Sequence, residues 1–150
     1  MPEALNCPPP PSASTSCWLP RSKRSPEEAR RALEKLLAGL PHGQRFADAG
    51  LLLVSELVTN AVVHGTPPGN RIWLALSVDG SRLRIEVHDA RAERGPILRT
   101  TSGEDESGRG LLLVKSLSQQ WGCCPREHVG KIIWAEITPE SAAGSEESAA

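Results

Sequence analysis

Apolar positions along the chain recur at the helical period in two stretches and alternate at the strand period in a hairpin after them. The first helical stretch opens at Ser25-Pro26-Glu27-Glu28, where Ser25 is placed to cap, Pro26 suits the first helical position and Glu28 completes a capping box. Ala29, Leu33, Leu36, Leu37 and Leu40 keep one apolar face, and Gly39 and Pro41 end the helix. A second, longer helix is predicted from near Gln44 to Gly65. At about 100° per residue, Leu51, Val54, Val58, Ala61 and Val62 form its expected core stripe. Glu56, Asn60 and His64 follow one another at i, i+4 and i+8 on the opposite side, where Leu53 and Leu57 also fall. A carboxylate, a carboxamide and an imidazole in a column among leucines read either as the wall of a pocket or as satisfied polar groups on a buried helix.

Pro67-Pro68 and Gly69-Asn70 mark a turn, and two strands follow, joined at Asp79-Gly80, a strong hairpin signal. Ile72, Leu74, Leu76 and Val78 face one way in the first strand. Leu83, Ile85 and Val87 form the buried set of the second, with Arg82, Arg84, Glu86 and His88 outward. Asp89 continues the buried set. A carboxylate there needs a partner or a ligand, since an unpaired buried charge is costly, unless the strand has ended and Asp89 is a solvated turn residue. Residues 91–107 show no period and read as a lid-like loop. That loop closes at Ser107-Gly108-Arg109-Gly110, which opens the apolar helix LLLVKSLSQQ. A Gly-Arg-Gly turn at a helix start offers backbone N–H groups, the positive end of the dipole and a bidentate arginine to an anion, or is a plain loop-to-helix turn. Strands at Trp121–Arg126 and Lys131–Ile137 complete the pattern.

Composition narrows the class. A chain of 150 residues with 39% apolar and 23% charged content fits one packed domain. Residues 1–24, rich in Pro and Ser, and the acidic residues 139–150 are expected to be disordered tails around a domain at 25–138. A net charge of −1 argues against broad electrostatic binding of nucleic acid or of an anionic membrane. The absence of an apolar run of 18 or more residues argues against a membrane span, and a cytoplasmic location is expected. Cys7, Cys17, Cys123 and Cys124 include no Cys-x-x-Cys pair, and adjacent strand residues point to opposite faces, so reduced and mostly inert thiols are expected.

The helix column, the inward strand-end carboxylate and the glycine turn, in that order, resemble the ATP-binding domain shared by DNA gyrase, histidine kinases, MutL and a class of heat-shock chaperones. The likeness is nearest to its short bacterial branch, the anti-sigma factor serine/threonine kinases, and covers about Ser25 to Ile137. ELVTNAVVHG is similar to that branch's N box, VHDA stands where the first glycine box begins, and SGRGLLLVKSL is similar to the second. The implied fold is an α+β sandwich, with helices packed on one face of a mixed, mostly antiparallel sheet. The implied ligands are ATP and Mg²⁺. By the same resemblance Asn60 would hold the metal, Glu56 would act as general base, and Asp89 would accept the adenine amino group. Gly108, Arg109, Gly110 and Leu111 would wrap the phosphates.

Two departures stand out. The first glycine box usually reads Asp-x-Gly-x-Gly, and this chain has Asp89-Ala90-Arg91-Ala92-Glu93; Ile132 stands near the place of a threonine that supports the aspartate. The resemblance implies a kinase that binds a sigma factor and phosphorylates an antagonist protein, working as a homodimer without direct nucleic-acid contact. The alternatives are a non-catalytic interaction module of the same fold and a detached histidine-kinase catalytic domain.

Overall fold

The computed structural model describes residues 12–65, 69–89, 114–125 and 131–139. Its elements run β1 (Ser12–Pro20), α1 (Ser25–Ala38), a 3₁₀ turn (Gly43–Phe46), α2 (Ala47–Asn60), a π-helical turn (Ala61–Gly65), β2 (Arg71–Asp79), β3 (Arg82–Asp89), β4 (Gln120–Pro125) and β5 (Lys131–Ile137). A four-residue helical turn at 114–117 precedes β4. The strands form one sheet in the order β1-β2-β3-β5-β4, and α1 and α2 pack on a single face of it. This is the expected α+β sandwich, with the sheet antiparallel at all four pairings instead of mixed.

The alternation read from sequence holds along the hairpin. Ile72, Leu74, Leu76, Val78, Leu83, Ile85 and Val87 are buried under the helices, and the two-residue loop Gly80-Ser81 turns at a Gly80 φ of 62°. On β5, Ile133, Ala135 and Ile137 extend the same inner face. The outer face carries charge instead. Arg84 bonds Glu86 at 2.7 Å and Glu136 at 2.8 Å, and its guanidinium lies 4.6 Å from the centroid of the Trp134 ring.

Four expectations need correction. Residues 12–20, assigned to a disordered tail, form β1, which pairs along its whole length with β2 from Ser12↔Asp79 to Pro20↔Arg71. Leu19 is buried and Cys17 packs on the core, so this segment's alternation is real but carried by few apolar residues. Ser25 does not cap α1. The N-cap is Arg24 without a side-chain cap, and the buried Ser25 hydroxyl instead donates to the Pro20 carbonyl, tying helix to strand. On α2 the buried stripe is Ala49, Leu53, Val54, Leu57, Val58 and Ala61, so Leu53 and Leu57 belong to the core and Leu51 and Val62 to its margin. The predicted strand Trp121–Arg126 lies one residue earlier, at Gln120–Pro125.

The continuous helical segment Gly43–His64 is, by length and composition alone, apolar enough to cross a membrane. Its apolar stripe is packed against the sheet, as in the core helix of a sandwich. Close seating is possible because position 50 is glycine. A Cβ there would lie 3.0 Å from Leu83 Cδ2 and 3.1 Å from Leu33 Cδ2. Arg30 also donates to the Ser55 hydroxyl at 2.9 Å, which fixes α1 against α2.

Gly50→Val is therefore expected to lower unfolding free energy by ~2 kcal/mol through overpacking, read from the midpoint of a denaturant titration. The thiols supply a second expectation. Burial raises the Cys17 and Cys123 pKa values, with Glu28 adding to the first, whereas Cys124 is exposed on the opposite strand face. At about pH 8 an aromatic disulfide reagent should label Cys124 several-fold faster than Cys17 or Cys123, as mapped by mass spectrometry.

Candidate functional site

The site follows from how α2 runs along β3. Gly50 of α2 sits over Leu83, near the start of β3, and the π turn after Asn60 lies against the same strand. From Gly50 the helix rises ~15 Å to Asn60, at about 1.5 Å per residue. From Leu83 the strand rises ~20 Å to Asp89, at about 3.3 Å per residue. The carboxamide and the carboxylate, 29 positions apart in sequence, are thus delivered to the same end of the sandwich. A π turn widens the helix by one residue and commonly marks a functional position; here it starts directly after Asn60.

Glu56, Asn60 and His64 are all half-buried, on the flank between the core stripe and solvent. The Asn60 Oδ1 atom is fully buried and has no hydrogen-bond partner among the described residues. A buried carboxamide oxygen left so costs about 1–3 kcal/mol, which a cation or a donor group of a ligand would offset. A hard divalent cation that keeps some of its waters is a suitable occupant for such an oxygen.

Asp89 belongs to β3 and is 1% exposed, so it is no solvated turn residue. Across the ladder it stands opposite Lys131, the first residue of β5 and itself 4% exposed. Their charged atoms, Asp89 Oδ2 and Lys131 Nζ, are 3.9 Å apart. Lys131 went unnoticed in the sequence, although the parity of KIIWAEI puts residues 131, 133, 135 and 137 on one face. The same parity corrects the reading of Ile132: it pairs with His88 and is half-buried on the outer face, so the inward neighbour of the aspartate is Lys131. The predicted phosphate turn Gly108, Arg109, Gly110 and Leu111 and the loop 91–107 lie outside the described residues.

A carboxamide oxygen without a partner among the described residues and a buried ion pair at the adjoining strand ends make this end of the α+β sandwich the candidate site. The sequence pattern of the histidine kinase-like ATPase domain matches residues 19–136, and the chain belongs to that family. Its fold is similar to that seen in the crystal structure of the RsbU and RsbW domains of Rv1364c from Mycobacterium tuberculosis, with a TM-score of 0.65 at 18% identity. That likeness covers 85% of this chain and 33% of the other, so the chain spans about a third of that structure's length. No curated protein matches the sequence.

An uncompensated buried oxygen on α2 has a measurable consequence. Asn60→Leu, which removes it, is expected to leave the ligand-free protein equally stable or ~1 kcal/mol more stable. A loss of more than ~1 kcal/mol in a urea titration would show that Asn60 is a structural residue.

Proposed function

We propose that the chain binds Mg-ATP between the end of α2 and the ends of β3 and β5, and acts as an anti-sigma-type protein serine/threonine kinase. The observation that carries this is the buried, unsatisfied Asn60 Oδ1 on the helix that supplies Glu56 one turn earlier. Membership of an ATPase-domain family supports it. In this reading Asn60 holds Mg²⁺, which would neutralise the triphosphate charge. Asp89 accepts a hydrogen bond from the adenine amino group, and Gly108, Arg109, Gly110 and Leu111 embrace the phosphates.

Glu56 takes the proton from a serine or threonine hydroxyl of the protein substrate as that oxygen attacks the γ-phosphorus. The new P–O bond forms while the bond from the γ-phosphorus to the β–γ bridging oxygen breaks, and ADP leaves. The substrate would be an antagonist protein, a sigma factor the alternative partner, and a homodimer the working form. A non-catalytic interaction module is the second reading, favoured by the altered first glycine box, where Arg91 and Glu93 stand at the two glycine positions.

Calorimetric titration with ATP separates the two. Wild type is expected to bind in the micromolar range only when Mg²⁺ is present. Asn60→Ala and Asp89→Asn should each weaken binding by about tenfold or more, equal to ~1.4 kcal/mol. Glu56→Ala should bind within a few-fold of wild type yet lose about 100-fold or more in phosphoryl transfer. No binding at millimolar ATP leaves the interaction module.

A further inference from the structure

Among the described residues the Lys131–Asp89 pair has no counterpart elsewhere on the inner face of the sheet. The positions that continue its two columns are Val87 and Ile85 on β3, with Ile133 and Ala135 on β5, all buried and apolar. Two apolar residues at 89 and 131 would extend that core, and such a replacement of a buried ion pair is often neutral or stabilising. Packing alone therefore does not call for a carboxylate and an ammonium at this place.

Their chemistry is complementary and fixed in order. An ionised carboxylate only accepts hydrogen bonds and an ammonium only donates them. At 3.9 Å the two are too far apart to hydrogen-bond each other, yet both lie at one end of neighbouring strands. Adenine presents an amino donor at C6 beside a ring-nitrogen acceptor at N1, on one flat edge. Guanine presents a carbonyl at C6 and an N–H at N1, the reverse order.

We propose that Lys131 is a specificity residue that donates to adenine N1 while Asp89 accepts from the 6-amino group. The inference rests on the nucleotide-site reading above. It replaces a single-point contact by a two-point reader built from adjacent strand ends. Guanine in the same pose would set its carbonyl against the carboxylate and its N–H against the ammonium.

The test compares equilibrium binding of ATP, 1-deaza-ATP (a C–H in place of N1) and GTP, each with Mg²⁺. Loss of a hydrogen bond to a charged donor should make 1-deaza-ATP ~10- to 100-fold weaker than ATP on wild type. GTP should be weaker still. Lys131→Met should bind ATP and 1-deaza-ATP equally. Wild-type binding of ATP and 1-deaza-ATP within about twofold of each other would overturn the role of Lys131 and leave the ATP site standing. So would a GTP affinity equal to that for ATP, or persistence of the gap in Lys131→Met. Failure of all three nucleotides to bind would remove the nucleotide site itself and this inference with it. The wild-type comparison needs no altered protein, so a poorly folded variant leaves the test intact.

Discussion

The seating of α2 on β3 is the constraint from which the candidate site follows. The helix lies close because Gly50 presents no side chain to Leu83 and Leu33, and the leucines and valines of its buried stripe then fill the interface. Once that contact is made, two independent rises, about 1.5 Å per residue along the helix and about 3.3 Å along the strand, settle which residues finish together. Asn60 and Asp89 are carried to one end of the sandwich by that arithmetic, with no contact between distant loops required. The core and the site are in this sense one object: shifting the helix by one turn would bring a side chain to the place of Gly50 and separate the polar groups.

Polar groups at this end are costly to the folded state. An orphaned carboxamide oxygen and a desolvated ion pair each work against stability or contribute little to it. The outer face of the sheet makes the contrast. There Arg84, Glu86 and Glu136 are mutually bonded and partly exposed, so the same residue types sit without an unmet demand. Glu86 accordingly keeps a lowered pKa: burial raises it, and the hydrogen bonds from Arg84 and His88 outweigh that. The charged network of the outer face is partly exposed to water, whereas the Asp89–Lys131 pair is buried at the strand ends.

Much of this was legible before the structure. The hairpin and the inward Asp89 follow from strict alternation, and the α2 column from its period, because each sits in a long stretch of regular pattern. What was missed has physical causes. β1 contains only Cys17 and Leu19 as inward apolar anchors, among serines, and its order comes from nine residues of pairing with β2, which no local pattern reveals. Ser25 has the right residue type for a cap, yet its hydroxyl goes to the Pro20 carbonyl because β1 brings that carbonyl close. Lys131 stands at a strand start, where no local pattern marks a lysine as buried. Only the register with β3 turns it inward.

The edge strand has a practical side. Similarity to the family begins at residue 19, whereas β1 begins at Ser12, so most of this strand precedes the recognisable domain. A protein shortened to the family limits would keep the hairpin but strip the partner from β2. The backbone N–H and C=O groups of Ile72–Val78 would then stand open along a strand rich in Leu and Val, a template for pairing between molecules. Precipitation of such a shortened protein would report on a missing neighbour strand and say nothing about the soundness of the helices or of the site.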